Sequence, residues 1–415
     1  MSSTDTITVS VGFEGARAQS LAFEVADGID RQFAFGAATL SVSSDRLDEL
    51  RERDDVRYVQ PVRAVDLITP VDTDSGDDTD PIDRDQCLPW GVDRVDADVA
   101  TDAGYTGDGA GVAVIDTGVA PDHPDVPVAD GKSFVEAEDP PEPAWADEQG
   151  HGTHVAGIIT ALDNDIGVQG GGPDIDIYAY KVFARDSTRA PEDAIAAAIE
   201  EAADNDDVDV INLSLGGDEP SELIGDAIKY ACDQGTLVVA ATGNDGCEGQ
   251  DCVSYPAARC RVVAVTATNM LDQTAWFSNV GPEVNFTAPG MGVYSTVPGG
   301  YKKLSGTSMA CPHASFSAAV VMNQGHSHAK AVTILAEDAE DLRKDPDEQG
   351  AGLVDLAAAL GLDSSDDGTG DCQTADGEPR SLSAVTFRTI DDPERTAEDI
   401  IDTESLSEGP FTIDP

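Results

Sequence analysis

The chain has 415 residues, of which 80 are acidic and 24 basic, for a formal charge of −56. This balance excludes nucleic acid as a partner, because phosphates would be repelled. It also predicts a salt-adapted protein of the extreme-halophile kind: self-repulsion on this scale destabilises a compact state, and about 1 M salt cuts the Debye length to about 3 Å.

Between Asp5 and Asp66 the chain reads as a small α+β unit. Thr6–Phe13 alternates as a strand, Ala38–Val42 forms a second, Asp45–Arg53 a charged helix and Val56–Val65 a last strand. Pro70–Asp85 is rich in Asp, Thr, Gly and Pro and cannot bury a core, so a mobile linker is expected there. From Gly111 onward apolar strands alternate with helices. Strands are expected at Gly111–Ile115, Ile175–Val182, Val208–Leu213, Thr236–Ala241 and Arg261–Thr266, and helices at His151–Ala161, Pro191–Asp204, Ser221–Asp233 and Thr307–Asn323. That order predicts an α/β domain, a doubly wound parallel sheet with helices on both faces. Beyond Leu362 an acidic tail, 363–415, has little apolar periodicity and is expected to be disordered.

Three blocks carry chemistry. Val112-Ala113-Val114-Ile115-Asp116-Thr117-Gly118 ends a strand in a carboxylate, His151-Gly152-Thr153-His154 opens a helix, and Gly306-Thr307-Ser308-Met309-Ala310-Cys311-Pro312-His313 places a serine before another. Alone, each has a plain alternative. Asp-Thr-Gly also occurs in aspartic proteases, the paired histidines could bind metal, and Gly-Thr-Ser could be a helix cap. His154 is read as structural, since no carboxylate or cysteine follows at ligand spacing. Together the blocks supply what a serine nucleophile needs: an imidazole to take and return its proton, and a buried acid to orient that imidazole.

The order Asp116, His151, Ser308 resembles that of the subtilisin-like serine proteases, the subtilases. The likeness runs from about Gln86 to about Leu362, and every residue below takes its role from it. It implies a serine endopeptidase that acts on proteins or peptides through an acyl-enzyme. Asn244, at the end of Leu237–Gly243, would donate its amide to the oxyanion, although Asn-Asp-Gly alone reads as a turn. Ser214, Leu215 and Gly216 would line one wall of the substrate pocket and Ala241, Thr242 and Gly243 the other. Arg185–Arg189 replaces a glycine-rich edge that many relatives use to add the substrate as a strand, which leaves specificity open. Asp245 is read as a solvated turn residue.

The resemblance further implies structural calcium, held by Gln86, Asp125 and Asn164 side chains with the carbonyls of Leu162, Ile166 and Val168; an all-oxygen donor set suits a hard cation. It makes residues 1–69 a ferredoxin-like propeptide that assists folding and then inhibits, 70–85 a linker with the processing point near Arg84 or Asp85, and 86–362 the catalytic domain. A monomer is expected. Phe316 departs from the glycine usual at its position.

The seven cysteines leave at least one unpaired. One bridge among Cys247, Cys252 and Cys260 is expected, with Cys311 a packing residue. Met1–Phe13 has no basic start, apolar core or twin arginine, and no segment is long enough to span a membrane. Read literally this is a cytoplasmic protein; family habit favours secretion. A competing class is a non-catalytic, calcium-braced scaffold, against which stands the presence of every reacting group.

Overall fold

The computed structural model describes residues 6–71, 79–136, 139–363 and 368–372. The N-terminal unit comprises β1 (Thr6–Phe13), α1 (Ala16–Val25), β2 (Gly28–Phe33), β3 (Ala37–Ser43), α2 (Leu47–Arg51) and β4 (Val56–Pro61). Its strands form an antiparallel sheet in the order β2-β3-β1-β4. Helix α1, unmarked in the sequence reading, buries Ala18, Ala22 and Val25 at helical spacing against a core of Val9, Val11, Leu40 and Leu50.

The strand expected over Val56–Val65 is two strands. Pro61 ends β4 because it has no N–H to continue the ladder, and β5 (Ala64–Leu67) joins another sheet. The segment expected to be a mobile linker is partly docked. β6 (Asp80–Pro81) pairs with Gly300 and Tyr301, and Arg84 stacks over the Tyr294 ring at 4.8 Å.

The large domain continues with α3 (Trp90–Arg94), α4 (Ala97–Asp102), β7 (Gly111–Asp116), β8 (Asp130–Ser133), α5 (His151–Thr160), β9 (Asp176–Lys181), β10 (Arg189–Pro191) and α6 (Glu192–Ala203). There follow β11 (Val210–Leu213), β12 (Leu215–Gly216), α7 (Glu222–Gln234), β13 (Leu237–Ala241), β14 (Val262–Thr268) and β15 (Val284–Pro289). The β16 (Val293–Val297) and β17 (Gly300–Leu304) hairpin then leads into α8 (Thr307–Met322) and α9 (His328–Glu337).

Seven strands make one sheet in the order β15-β14-β13-β11-β7-β9-β8, with parallel pairing between every neighbour. This is the expected α/β architecture. All five expected strands belong to it. The two edge strands were not expected, because Asp-Gly-Lys-Ser in β8 has no apolar pattern and Pro289 truncates β15. Along β7, Val112 and Val114 enter the core beneath α5 and α8, whereas Ala113 and Ile115 enter the one beneath α6 and α7. A strand buried on both faces reads as a continuous apolar run for this reason.

The two units are joined by charge and by apolar contact. Arg57 and the Tyr58 hydroxyl both reach Asp226 of α7, at 2.7 and 2.8 Å. Arg63 reaches the buried Glu192 at 3.1 Å, and Phe33 and Ala37 enter the α6–α7 core.

Two disulfides are formed. Cys247–Cys252 is the expected local bridge, and Cys260 stays free and exposed. Cys87–Cys372 was not foreseen, since its members lie 285 residues apart. It corrects the expectation of a wholly disordered tail: residues 368–372 dock on the large domain, where Gly370 N–H donates to Asp93 and Leu88 N–H to Asp371. The tail from 373 on, with Val385–Ile390 and Pro410–Pro415, lies outside the described residues. Phe316 is fully buried and its ring fills the space a Cβ at Gly171 would need, 2.1 Å from the nearest ring carbon, so the departure is accommodated by a bare backbone opposite. Among the described residues no helix is long and apolar enough to cross a membrane.

Candidate active site

Parallel strands deliver their carboxyl ends to one edge of the sheet, and helices that follow them begin there. Asp116 is the last residue of β7, His151 the first of α5, Ser308 the second of α8, and Asn244 lies three residues past β13. Four chain-distant residues thus meet at one edge.

His151 Nδ1 lies 2.8 and 3.0 Å from the two carboxylate oxygens of Asp116. Asp116 is fully buried and accepts the Thr117 N–H at 2.7 Å. Such closeness requires glycine at 152, because a Cβ there would lie 2.2 Å from the Gly118 carbonyl and 3.1 Å from Asp116. Burial alone would lower the His151 pKa; the charge and hydrogen bond of Asp116, helped by Asp147, outweigh it and raise it. His154 behaves oppositely. Burial pushes it down to about 3, and its Nε2 is spent on the Lys302 carbonyl, in keeping with a structural role.

Ser308 is fully buried, and its hydroxyl donates to the Ile68 carbonyl at 2.8 Å, with the Ser214 carbonyl at 3.4 Å. Among the described residues His151 Nε2 makes no hydrogen bond of ordinary geometry, although the Ile68 carbonyl lies close enough to help raise the ring's pKa. Asn244 is held from one side and used on the other: its Oδ1 accepts from Thr307 N–H and Oγ1 at 2.9 and 3.0 Å, while its Nδ2 donates to the Thr69 carbonyl at 2.9 Å.

The segment threaded through this cleft belongs to the chain itself. β5 lies antiparallel between β10 and β12, with Leu67 opposite Leu215 and Asp66 opposite Gly216. Leu67 N–H also donates to the Thr188 carbonyl at 2.7 Å, so the edge without its glycines still pairs with an added strand. Ile68 reaches the Gly216 wall: a Cβ at Gly216 would meet Ser254 Cβ at 3.1 Å and Ile68 Cδ1 at 3.2 Å. Ala241 and Thr242 are fully buried, and Gly243 has a φ of 108° with Asn279 and Ser254 where a side chain would stand. Asp245 is an exposed turn residue. Arg84, near the expected processing point, instead gives its carbonyl to the Gly167 N–H at 3.0 Å.

Several supporting residues escaped the sequence reading. Asp147 accepts from the N–H groups of Gln149, Gly150 and Thr153 and from the Thr153 hydroxyl, fixing the turn that launches α5; its place before Gly150-His151 is an Asx-turn signal that could have found it. Asn212 donates to the hydroxyl of Ser214, already named for the pocket wall, which in turn donates to the Ser308 carbonyl at 3.0 Å. The buried Lys181 donates to the Thr117 carbonyl at 2.6 Å. No spacing rule marks Asn212 or Lys181.

The residues named for calcium also converge. Asp125 is fully buried with Oδ1 unpartnered among the described residues, while its Oδ2 accepts the Val168 N–H at 3.1 Å. Gln86 bridges the loop, donating to the Leu162 carbonyl at 3.0 Å and accepting from Asp165 N–H at 2.9 Å, and Asn164 Oδ1 accepts from Ile166 N–H at 3.1 Å. Burial raises the Asp125 pKa to about 6, against the Val168 N–H and the nearby Tyr301 and Asn164 side chains, which lower it. Gly167, at φ 68°, completes the cradle, since a Cβ there would lie 2.5 Å from Asp125 Oδ2. The donor set therefore fits a hard cation.

The sequence profile of the subtilase family matches residues 107–352. Subtilisin BL of Lederbergia lenta is 43% identical over 277 residues, which is 66% of this chain and 99% of that protein. Subtilisin Savinase of the same organism is 42% identical over the same share of both chains. An alkaline protease of Alkalihalobacillus alcalophilus is 42% identical over 277 residues, 70% of its length.

Proposed function

The chain belongs to the subtilase family of serine endopeptidases, and from that premise we propose that Asp116, His151 and Ser308 are its working triad, that it is made as a self-processing zymogen, and that it acts in high salt. The observation that carries this reading is a peptide lying in the cleft with one carbonyl on the Ser308 hydroxyl and the next on the Asn244 amide, 2.8 and 2.9 Å away. In the proposed reaction Ser308 Oγ attacks a peptide carbonyl carbon as His151 Nε2 takes its proton. Asp116 holds the other nitrogen and stabilises the imidazolium. Asn244 meets the oxygen as it becomes an anion, and His151 then protonates the leaving amine.

A serine-directed phosphonylating probe tests this. Labelling of Ser308 that is lost in Ser308→Ala supports it; no labelling of processed protein in molar salt with calcium supports the non-catalytic scaffold instead. Asn244→Ala is expected to lower kcat by about a hundred- to a thousandfold, a scale set in subtilisin, with little change in KM, because a planar ground-state carbonyl needs the amide least. Steady-state kinetics on a chromogenic peptide would show it.

Residues 1–69 serve, in this reading, as propeptide, Arg57 and Arg63 binding the acidic helices; the enzyme works as a monomer, secreted, on proteins or peptides. Subtilases generally bind structural calcium, and here Gln86, Asp125, Asn164 and the carbonyls of Leu162, Ile166 and Val168 would hold it, bracing the loop against the strand that starts the mature domain. Chelation is expected to lower Tm, and Asp125→Ala to abolish the difference between chelated and calcium-loaded protein. An unchanged melt, with no metal by mass analysis, would remove the site.

A further inference from the structure

We propose that Pro70 is a brake on self-processing, holding the chain's own cleft-bound strap, residues 64–71, out of phase across Ser308 so that the uncut chain stays latent. The inference rests on the protease reading above.

The strap has two anchors. Upstream, β5 is fixed in register between β10 and β12, and Ile68 Cδ1 lies against the bare backbone of Gly216. This makes Ile68–Thr69 the bond presented by the pocket. Downstream, the Ser305 carbonyl accepts an N–H from Val71 at 2.7 Å. Pro70 cannot serve it, having no N–H.

Between these anchors the carbonyls are misassigned. Asn244 donates to Thr69, one residue beyond the carbonyl whose side chain is pocketed. The Ile68 oxygen takes the Ser308 hydroxyl instead, which turns the hydroxyl proton toward a substrate oxygen and away from His151 Nε2, with which it makes no hydrogen bond. The nucleophile is therefore adjacent to its bond but not deprotonated toward it, and geometry of this kind is what attack depends on.

Cutting Ile68–Thr69 requires the Ile68 oxygen to replace the Thr69 oxygen on Asn244. Ser308 Oγ then bonds to the Ile68 carbonyl carbon while His151 accepts its proton. The C–N bond to Thr69 breaks and His151 returns the proton to the Thr69 nitrogen. Water releases the Ile68 acyl group from Ser308 as a carboxylate. An N–H at position 70 would offer Ser305 a donor one residue earlier and allow the strap to move into that register.

The test compares full-length wild type, Pro70→Ala and Ser308→Ala, started by calcium and molar salt and followed by intact mass and N-terminal sequencing. Pro70→Ala is expected to yield a chain beginning at Thr69 about tenfold faster than wild type or more, and Ser308→Ala none. Rates for wild type and Pro70→Ala within about twofold of each other, or a first cut after Thr69 or near Arg84, would overturn the brake. A second measurement avoids any folding defect: a synthetic peptide of residues 62–73 added to processed enzyme should persist and inhibit hydrolysis of a chromogenic peptide, while the same peptide carrying Pro70→Ala should be cut after Ile68. Equal cleavage of the two also overturns the brake. If no form hydrolyses the chromogenic peptide or takes the phosphonate, the protease reading itself fails and the brake with it; hydrolysis with equal processing rates defeats the brake alone.

Discussion

Ser308→Ala is expected to lower kcat by on the order of a millionfold, the scale set by the corresponding loss in subtilisin, while the protein remains folded and 415 residues long. The fold should tolerate the change because the hydroxyl bonds only two carbonyls of the cleft, those of Ile68 and Ser214, neither of which holds sheet or helix together. The activity should not, because in the proposed mechanism the triad acts as a unit. Once the nucleophile is gone His151 has nothing to deprotonate, so adding His151→Ala to Ser308→Ala should cost little more. The measurement is a chromogenic-peptide rate for the single and double variants, beside intact mass to show that the first 68 residues are still attached. A double variant markedly slower than Ser308→Ala would mean that the two side chains act independently.

The second large effect is on stability. Lowering salt from about 2 M to about 0.1 M lengthens the Debye length from a few ångströms to about 10 Å, which exposes the −56 charge to itself. Arginines already sit with acids where they can, as in Arg94 between Asp272 and Glu340 or Arg261 with Asp233. With 24 basic against 80 acidic residues most carboxylates have no such neighbour to offset them. Tm is therefore expected to fall by on the order of 10 °C or more, a shift that a few kcal/mol produces in a domain of this size. Calorimetry with calcium held constant would measure it, and a melt independent of salt would refute salt adaptation.

Much of the architecture was legible because the parallel strands are apolar on both faces. Val112 to Ile115 cannot be read as anything exposed, and alternation with amphipathic helices then leaves few topologies. The polar edge strand β8 gave no such signal, and Pro61 divided a strand that composition alone ran on to Val65. Helix α1 was missed because its buried face is two alanines and a valine, too slight to stand out as a stripe.

Residue identity and order, together with the family likeness, were enough to single out Asp116, His151, Asn244 and Ser308, which the fold brings to one edge of the sheet, because each block keeps its distinctive residues within a few adjacent positions. Cys87–Cys372 could not be read from the chain, since pairing across 285 residues depends on where the fold returns the tail. Nor could the occupant of the cleft. That Ile68 and Thr69, rather than Arg84 and Asp85, lie against Ser308 is decided by β5 pairing with two strands more than 120 residues away, and long-range pairing of backbone groups leaves no mark on the side chains that a sequence displays.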